Sequence, residues 1–175
     1  MITSIAFSVS AAPVLILLVV LLMMLAESFV SRRHERRLRA RGAVEPPGDV
    51  YATMRWAYPA AFIAMAVEGT FFGLPPAPVA LAGAVLMAAA KALKWWAMAS
   101  LGERWTFRVL IVPGAALVTH GPYAIGNHPN YLAVGGELVA MALMAGARVT
   151  GPLATLLFSW LMWRRIRVED RALRY

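Results

Sequence analysis

The fold is decided by one irregular stretch, HGPYAIGNHPNY at residues 120–131, which lies between two strongly apolar halves of the chain. The residues before Pro122 and Pro129 are biased away from the helical conformation by the proline ring that follows. Irregular backbone beside membrane helices survives only where it is buried in protein or faces water. We therefore expect residues 120–131 to form a shaped, non-helical segment, although a plain turn of the chain would use the same residue types.

The composition excludes most soluble classes. Of the 175 residues, 61% are hydrophobic and 15% are charged, and the apolar residues come in long blocks. This is typical of a polytopic membrane protein. The formal net charge of +8 does not indicate nucleic-acid binding, because the basic residues flank the apolar blocks, where they set topology and meet lipid headgroups. The absence of cysteine and the few histidines predict neither a disulfide framework nor a metal site.

The apolar blocks predict an all-α protein with about five transmembrane helices. The blocks cover residues 5–30, 56–74, 79–100, 132–147 and 151–163. Residues 101–130 are expected to form an amphiphilic cytoplasmic segment, and residues 164–173 a helix that continues out of the membrane. We expect the whole chain, 1–175, to form a single domain.

The distribution of arginine predicts the orientation. Six arginines lie within residues 31–41, directly after the first apolar block. If the N-terminus is outside, every arginine except Arg148 falls on the cytoplasmic side, as the positive-inside rule requires. The C-terminus is then expected in the cytoplasm.

Charged residues inside the predicted spans are costly unless they are neutral or paired. Lys91 and Lys94 lie near the inner end of the third span, where they are expected to snorkel toward the interface. Glu68 is expected to pair with one of these lysines across helices. Glu137 lies about a turn and a half beyond Tyr131, which makes it a candidate for the substrate side of a site.

Two polar elements follow apolar spans on the same predicted side of the membrane, namely the loop 115–131 and the tail 164–173. Arg165 and Glu169 are four residues apart in the tail and share one helical face. Membrane anchoring and a surface ion pair would account for Arg165. They account less well for the adjacent acids Glu169 and Asp170, because acidic residues add little to topology. We therefore expect the loop and the tail to face each other and form a site.

These residues resemble the isoprenylcysteine carboxyl methyltransferase family of integral-membrane methyltransferases, in its bacterial branch. The resemblance rests on GPY at 121–123, HPNY at 128–131 and RIRVEDRAL at 165–173, in that order and at family-like spacing. LGERW at 101–105, PGAALV at 113–118, SRRHERR at 31–37 and RGAVE at 41–45 also fit, so the specific motifs lie in 101–173. The family usually has arginine directly before His-Pro, whereas this chain has Asn127.

The resemblance implies S-adenosylmethionine as methyl donor. It also implies a lipophilic prenyl or alkyl acceptor, methylated on a carboxylate or hydroxyl at the cytoplasmic face of the bacterial inner membrane. The donor-binding residues that it implies are Leu117, Val118, Tyr123, His128, Pro129, Asn130, Tyr131 and Glu169. Arg165 would lie toward the acceptor, with Glu137 as a second substrate-binding candidate. Arg165 would position an anionic acceptor, and His128 would act as a base if the acceptor were neutral.

The acceptor and two other functions stay open at this point. Hydroxylated alkyl-pyrones and other polyketide lipids, prenyl-thiol carboxylates and small lipophilic acids are all compatible acceptors. NADPH-dependent membrane sterol and enone reductases carry a similar Asn-Pro-Asn-Tyr loop, but they usually place Gly-Glu directly after it, whereas Glu137 lies further along. A non-catalytic transporter or lipid-binding protein would explain Glu68, Lys91 and Lys94, but not the polar chemistry gathered on one side. Lipids are the expected partners, and nucleic acid is not.

Overall fold

The computed structural model describes residues 11–173, and these form five long α-helices. The helices are α1 (Ala12–Ala40), α2 (Tyr51–Phe72), α3 (Ala77–Leu101), α4 (Pro129–Ala145) and α5 (Thr150–Ala172). The described residues contain no β-strand, and an isolated antiparallel bridge joins Val44 to Ile111. The prediction of an all-α membrane protein is therefore confirmed, with one α-helix for each of the five predicted transmembrane helices. Residues 5–10 of the first predicted span lie outside the described residues.

Prolines and glycines set the helix ends. Pro13, Pro78 and Pro129 lie in the first turns of α1, α3 and α4, where a backbone N–H is not needed for helical hydrogen bonding. Gly146 follows α4 with a left-handed φ of 70°, the usual way in which a helix ends. The third and fourth predicted spans therefore agree with α3 and α4 to within three residues, whereas α2 begins five residues earlier than predicted, at Tyr51. The helices α1 and α5 continue about ten residues beyond the first and fifth predicted spans, to Ala40 and Ala172, as predicted for the tail of α5.

Glu68, near the end of α2, caps the start of α5. Its carboxylate accepts hydrogen bonds from the backbone N–H groups of Val149 at 2.9 Å and Thr150 at 2.6 Å, and from the Thr150 hydroxyl at 2.5 Å. The free N–H groups and dipole of a helix N-terminus favour a carboxylate. The expected pairing of Glu68 with Lys91 or Lys94 is wrong, because Glu68 lies beside the α4–α5 turn and both lysines pair instead with Glu27 and Glu137.

Two helical segments, Ala12–Ala40 and Ala77–Arg104, are long and apolar enough to cross a bilayer. Their outward side chains fit that environment. Leu15, Leu18 and Leu22 on α1 and Leu81 on α3 are each more than half exposed. A continuous exposed apolar surface of this kind is suited to contact with lipid.

The interior between α2, α4 and α5 is closely packed. Phe62, Met65, Leu138 and Met141 are completely buried. The approach of α2 to α4 requires glycine at position 69, since a Cβ there would lie 2.2 Å from the carbonyl oxygen of Ala145. Because α3 also packs extensively against α4, the helix that begins at the HPNY motif is held on several sides.

The segment between α3 and α4 contains only two short 3-10 helices, Gly102–Arg104 and Gly121–Ala124. The prediction of a shaped segment free of α-helix at residues 120–131 is therefore right as far as His128, whereas residues 129–131 already belong to the first turn of α4. Gly121 has a φ of 62°, and a Cβ there would lie 2.1 Å from the hydroxyl oxygen of Ser100 on α3. Glycine therefore lets the GPY motif lie directly against α3.

Candidate active site

A cavity of about 960 Å³ lies where the segment before α4 meets the end of α5. Its wall includes most of the site residues expected from the sequence: Leu117, Val118, Tyr123, His128, Asn130, Tyr131, Arg165 and Glu169. Asn127 also lines it. Pockets for small molecules commonly measure about 300–1,000 Å³, so this cavity has room for a donor together with part of a second ligand.

The Tyr131 hydroxyl connects Arg165 to Glu169. Nε of Arg165 donates a hydrogen bond to the Tyr131 oxygen at 2.9 Å, and the same hydroxyl donates to Oε2 of Glu169 at 2.9 Å. Arg165 and Glu169 lie one turn apart on α5, while Tyr131 belongs to the first turn of α4. The cation and the acid singled out in the sequence are therefore coupled through one hydroxyl group.

His128 faces the two acids at the end of α5. Its Nε2 lies 3.1 Å from Oδ1 of Asp170, and its Nδ1 lies 3.8 Å from Oε2 of Glu169. The Asp170 side chain is 45% exposed and that of Glu169 is 31% exposed, so this end of the cavity is charged and open to solvent. Asp170 is thus a further lining residue, which the sequence marked only as the neighbour of Glu169.

Residues far apart in the sequence hold the Arg165 guanidinium. Nη2 donates to the carbonyl oxygen of Phe107, and Nη1 lies 3.9 Å from Oδ1 of Asp49. The Asp49 side chain is itself only 3% exposed, and it accepts hydrogen bonds from the backbone N–H groups of Tyr51 at 3.0 Å and Val109 at 3.1 Å. Sequence reasoning missed Asp49, because one acid in a proline- and glycine-rich linker carries no sign of a buried contact.

Two neutral polar side chains complete this end. Burial, and then the nearby carboxylate of Glu169, raise the pKa of Tyr123 well above its usual range, so its phenol stays neutral. The side-chain oxygen of Asn130 accepts a hydrogen bond from Nε1 of Trp105 at 3.3 Å, which sets the orientation of the amide. Tyr123 and Asn130 therefore add polarity without adding charge.

Two predicted site residues lie behind the cavity wall. Pro129 is the buried first residue of α4. Glu137 is 0% exposed, and its carboxylate lies 3.1 Å from Nζ of both Lys91 and Lys94. The structure thus places Glu137 in an internal ion pair and not beside a substrate, since a carboxylate at this depth needs its charge partners.

Lys91, Lys94, Glu27 and Glu137 form a buried ion cluster. Oε1 and Oε2 of Glu27 lie 2.9 Å from Nζ of Lys91 and 2.8 Å from Nζ of Lys94, respectively. The Tyr58 hydroxyl donates to Glu137 at 2.6 Å. The two lysines are 4% and 2% exposed. Their expected snorkelling to the interface is therefore wrong, because carboxylates from α1 and α4 hold them inside.

The fold and the site together define the class of protein. It is a helical membrane protein in which α1, α2, α5 and the segment before α4 line a cavity with both charged and apolar surface. The lining also includes an apolar wall formed by Leu21, Met24, Leu25, Met54 and Phe158, with the charged residues Glu27 and Lys94 among its neighbours. Such a cavity suits one polar ligand and one apolar ligand.

The model of the isoprenylcysteine carboxyl methyltransferase (ICMT) family matches residues 82–175, rather more than half of the chain, and the chain belongs to this family. The resemblance drawn from the motifs is therefore confirmed. Membership places the chain among membrane methyltransferases.

Two bacterial relatives each match more than four fifths of the chain. The chain is 31% identical to the uncharacterized protein YpbQ of Bacillus subtilis over 159 aligned residues. The aligned region covers 91% of this chain and 95% of YpbQ. The chain is also 25% identical to an uncharacterized protein of Haemophilus influenzae over 145 aligned residues. This second aligned region covers 82% of this chain and 84% of the relative. No solved structure matches the chain.

Proposed function

We propose that the protein transfers a methyl group from S-adenosylmethionine to a carboxylate or hydroxyl oxygen of a lipophilic prenyl or alkyl acceptor. The observation that carries the proposal is that one cavity presents both charged side chains and an apolar wall. Tyr131, Arg165 and Glu169 lie at the charged end, and Leu21 and Leu25 of α1 belong to the apolar wall. A polar donor and a lipid-like acceptor can therefore meet inside the same cavity.

The polar end fits the donor. Carboxylates such as Glu169 and Asp170 can accept hydrogen bonds from an ammonium group or from ribose hydroxyls. The aromatic faces of Tyr123 and Tyr131 favour a nearby cation. When bound, S-adenosylmethionine supplies an electrophilic methyl group. Leu117 and Val118 offer apolar surface to its base.

Arg165 is suited to orient the acceptor. It lies one turn before Glu169, toward the apolar wall, and its contacts with Tyr131, Phe107 and Asp49 hold the guanidinium before a ligand arrives. Holding two reactants in line contributes several kcal/mol, up to ~7–11 kcal/mol in ideal cases.

The protonation state of the acceptor decides whether a base is needed. An anionic carboxylate or enolate acceptor has no proton to lose, so Arg165 alone orients it. A neutral hydroxyl would give its proton to His128, and Asp170, 3.1 Å from Nε2, would stabilise the resulting imidazolium.

The proposed location is the cytoplasmic face of a bacterial inner membrane, with the N-terminus outside. The distribution of arginine supports this orientation. It also brings the polar end of the cavity to the compartment that contains the donor.

Ligand binding to the purified, detergent-solubilised protein tests the proposal against the alternatives. Titration calorimetry is expected to show binding of S-adenosylhomocysteine and no binding of NADPH. Binding of NADPH would support a reductase, and binding of neither nucleotide would support a non-catalytic lipid-binding protein. Either result would overturn the proposal.

A further inference from the structure

The face of α5 opposite the cavity is exposed along its whole length. Arg165 lies on the buried face, which also contains Phe158 and Leu161. Trp160 and Trp163, on the opposite face, are 53% and 52% exposed. An exposed tryptophan pair on a membrane helix is typical of the interface between hydrocarbon and headgroups.

Each of these tryptophans carries a stacked arginine one turn further along. The guanidinium of Arg164 lies 5.2 Å from the ring centre of Trp160, and that of Arg167 lies 4.7 Å from the ring centre of Trp163. Within residues 11–173, neither Arg164 nor Arg167 forms an ion pair with a carboxylate. The two guanidiniums are therefore adjacent, held by aromatic rings, and without a counter-charge from this part of the chain.

The same face is apolar below the tryptophans. Leu153, Leu156 and Leu157 are 54%, 70% and 59% exposed. From Leu156 through Trp160 to Arg164 the helix rises about 12 Å. The order apolar, aromatic, cationic along this rise matches the order acyl chain, ester region, phosphate in a phospholipid.

We propose that this strip of α5, residues 153–167, is a binding surface for an anionic glycerophospholipid. Arg164 and Arg167 hold the phosphate, and the leucines contact the acyl chains. Guanidinium groups bind phosphate with two parallel hydrogen bonds, and stacking on Trp160 and Trp163 orients their planes. A zwitterionic lipid is disfavoured, because its own cation would approach the two arginines.

Lipid bound here fixes the depth of α5 in the bilayer. Since Arg165 and Glu169 project from the other face of the same helix, the lipid also sets the level of the cavity relative to the headgroups. The inference concerns a surface outside the cavity, and it does not depend on the proposed methyl transfer.

Native mass spectrometry of the detergent-solubilised full chain tests the surface with phosphatidylglycerol and phosphatidylcholine as probes. The unaltered protein is expected to bind phosphatidylglycerol at least about fivefold more tightly than phosphatidylcholine. In the Arg164→Gln/Arg167→Gln double variant, the Kd for phosphatidylglycerol is expected to rise about tenfold and the preference to disappear.

A matched control is available on α1. Arg33 and Arg36 are also exposed and three residues apart, but neither is stacked on a tryptophan. The Arg33→Gln/Arg36→Gln variant is expected to raise the phosphatidylglycerol Kd clearly less than the α5 double variant does and to keep the preference over phosphatidylcholine, because unstacked arginines contribute only a general attraction for anionic lipid.

Several outcomes would overturn the inference. Equal losses in the two double variants would show a general charge effect, and equal binding of both lipids would show a surface that accepts any lipid. A dimer that the α5 double variant dissociates would show that a second copy of the chain covers this face. If the α5 double variant fails to fold, Trp160→Leu/Trp163→Leu replaces it, with the same loss of preference expected.

Discussion

Arg165 and Glu169 have different expected roles, yet one hydroxyl group connects them. Tyr131 accepts from Arg165 and donates to Glu169, each at 2.9 Å. The order along α5 places Glu169 beside the charged end of the cavity and Arg165 nearer the apolar wall. Conservative substitutions at the two positions should therefore separate donor binding from turnover.

Glu169→Gln is expected to weaken binding of S-adenosylhomocysteine while leaving the fold intact. Losing one charge-assisted hydrogen bond in a partly dry site costs roughly 1.5–3 kcal/mol. Titration calorimetry in detergent measures this change. Glu103→Gln is the control, since Glu103 pairs with Arg37 and Arg41 outside the cavity. Unchanged donor affinity in Glu169→Gln would contradict the role assigned to Glu169.

Arg165→Lys is expected to lower turnover about tenfold or more, a barrier increase of about 1.4 kcal/mol, with donor affinity nearly unchanged. Lysine keeps the charge but loses the planar fork that contacts Tyr131 and Phe107 together. Methyl-transfer rates measured beside Arg36→Lys, an exposed arginine on α1, provide the comparison. Full turnover in Arg165→Lys would contradict a positioning role and would show that Arg165 serves only to anchor the helix end in the membrane.

At the scale of helices, the buried ion cluster connects α3 to α1 and α4 through Lys91, Lys94, Glu27 and Glu137. Breaking such a cluster leaves an unpaired charge inside the protein, which is far more costly than removing the whole cluster. The arrangement therefore makes two opposite predictions for partial and complete replacement.

Lys94→Met is expected to destabilise the protein by about 3–5 kcal/mol, since Glu27 and Glu137 then lose a cation that lies within 3.1 Å of both. Replacing all four charged residues by leucine or methionine is expected to recover most of that loss. Unfolding in detergent by a graded denaturant measures both variants. Equal destabilisation by the single and the fourfold replacement would contradict this prediction, because it would show that the loss of stability does not come from unpaired buried carboxylates.

The sequence predicts the helices well and their partners poorly. The predicted spans 79–100 and 132–147 correspond to the helices Ala77–Leu101 and Pro129–Ala145. The ends agree this closely because prolines and glycines mark them in the local sequence. The pairing of Lys91 with Glu27 depends on how α3 packs against α1, which a single sequence does not show. The same holds for Asp49 beside Arg165, whereas the loop and tail of the site were recognisable from their motifs.

At the scale of the whole molecule, the arginine distribution predicts an orientation with the N-terminus outside and the C-terminus in the cytoplasm. The chain has no cysteine, so single cysteines report on each side without interference. Val149, in the α4–α5 turn, and Val44, after α1, are 66% and 60% exposed. A membrane-impermeant maleimide applied to intact cells is expected to label Val149→Cys and to spare Val44→Cys. The reverse pattern would invert the topology.

The two faces of α5 have different surroundings, the cavity on one side and the proposed lipid-binding surface on the other. One face carries Arg165 and Glu169 into the cavity, and the other carries Arg164 and Arg167 on tryptophan rings. In the proposed orientation, a donor from the cytosol and an acceptor from the bilayer both reach the cavity at the level set by the headgroups.

Transfer of a labelled methyl group from S-adenosylmethionine into extracted membrane lipid tests the central claim most directly. We predict that purified protein moves label into the organic phase of a bacterial lipid extract. Glu169→Gln should lower this transfer at limiting donor, and Arg165→Lys should lower it about tenfold even at saturating donor. Label in the organic phase no greater than in a protein-free control, with a protein that still binds S-adenosylhomocysteine, would contradict methyl transfer to a lipophilic acceptor.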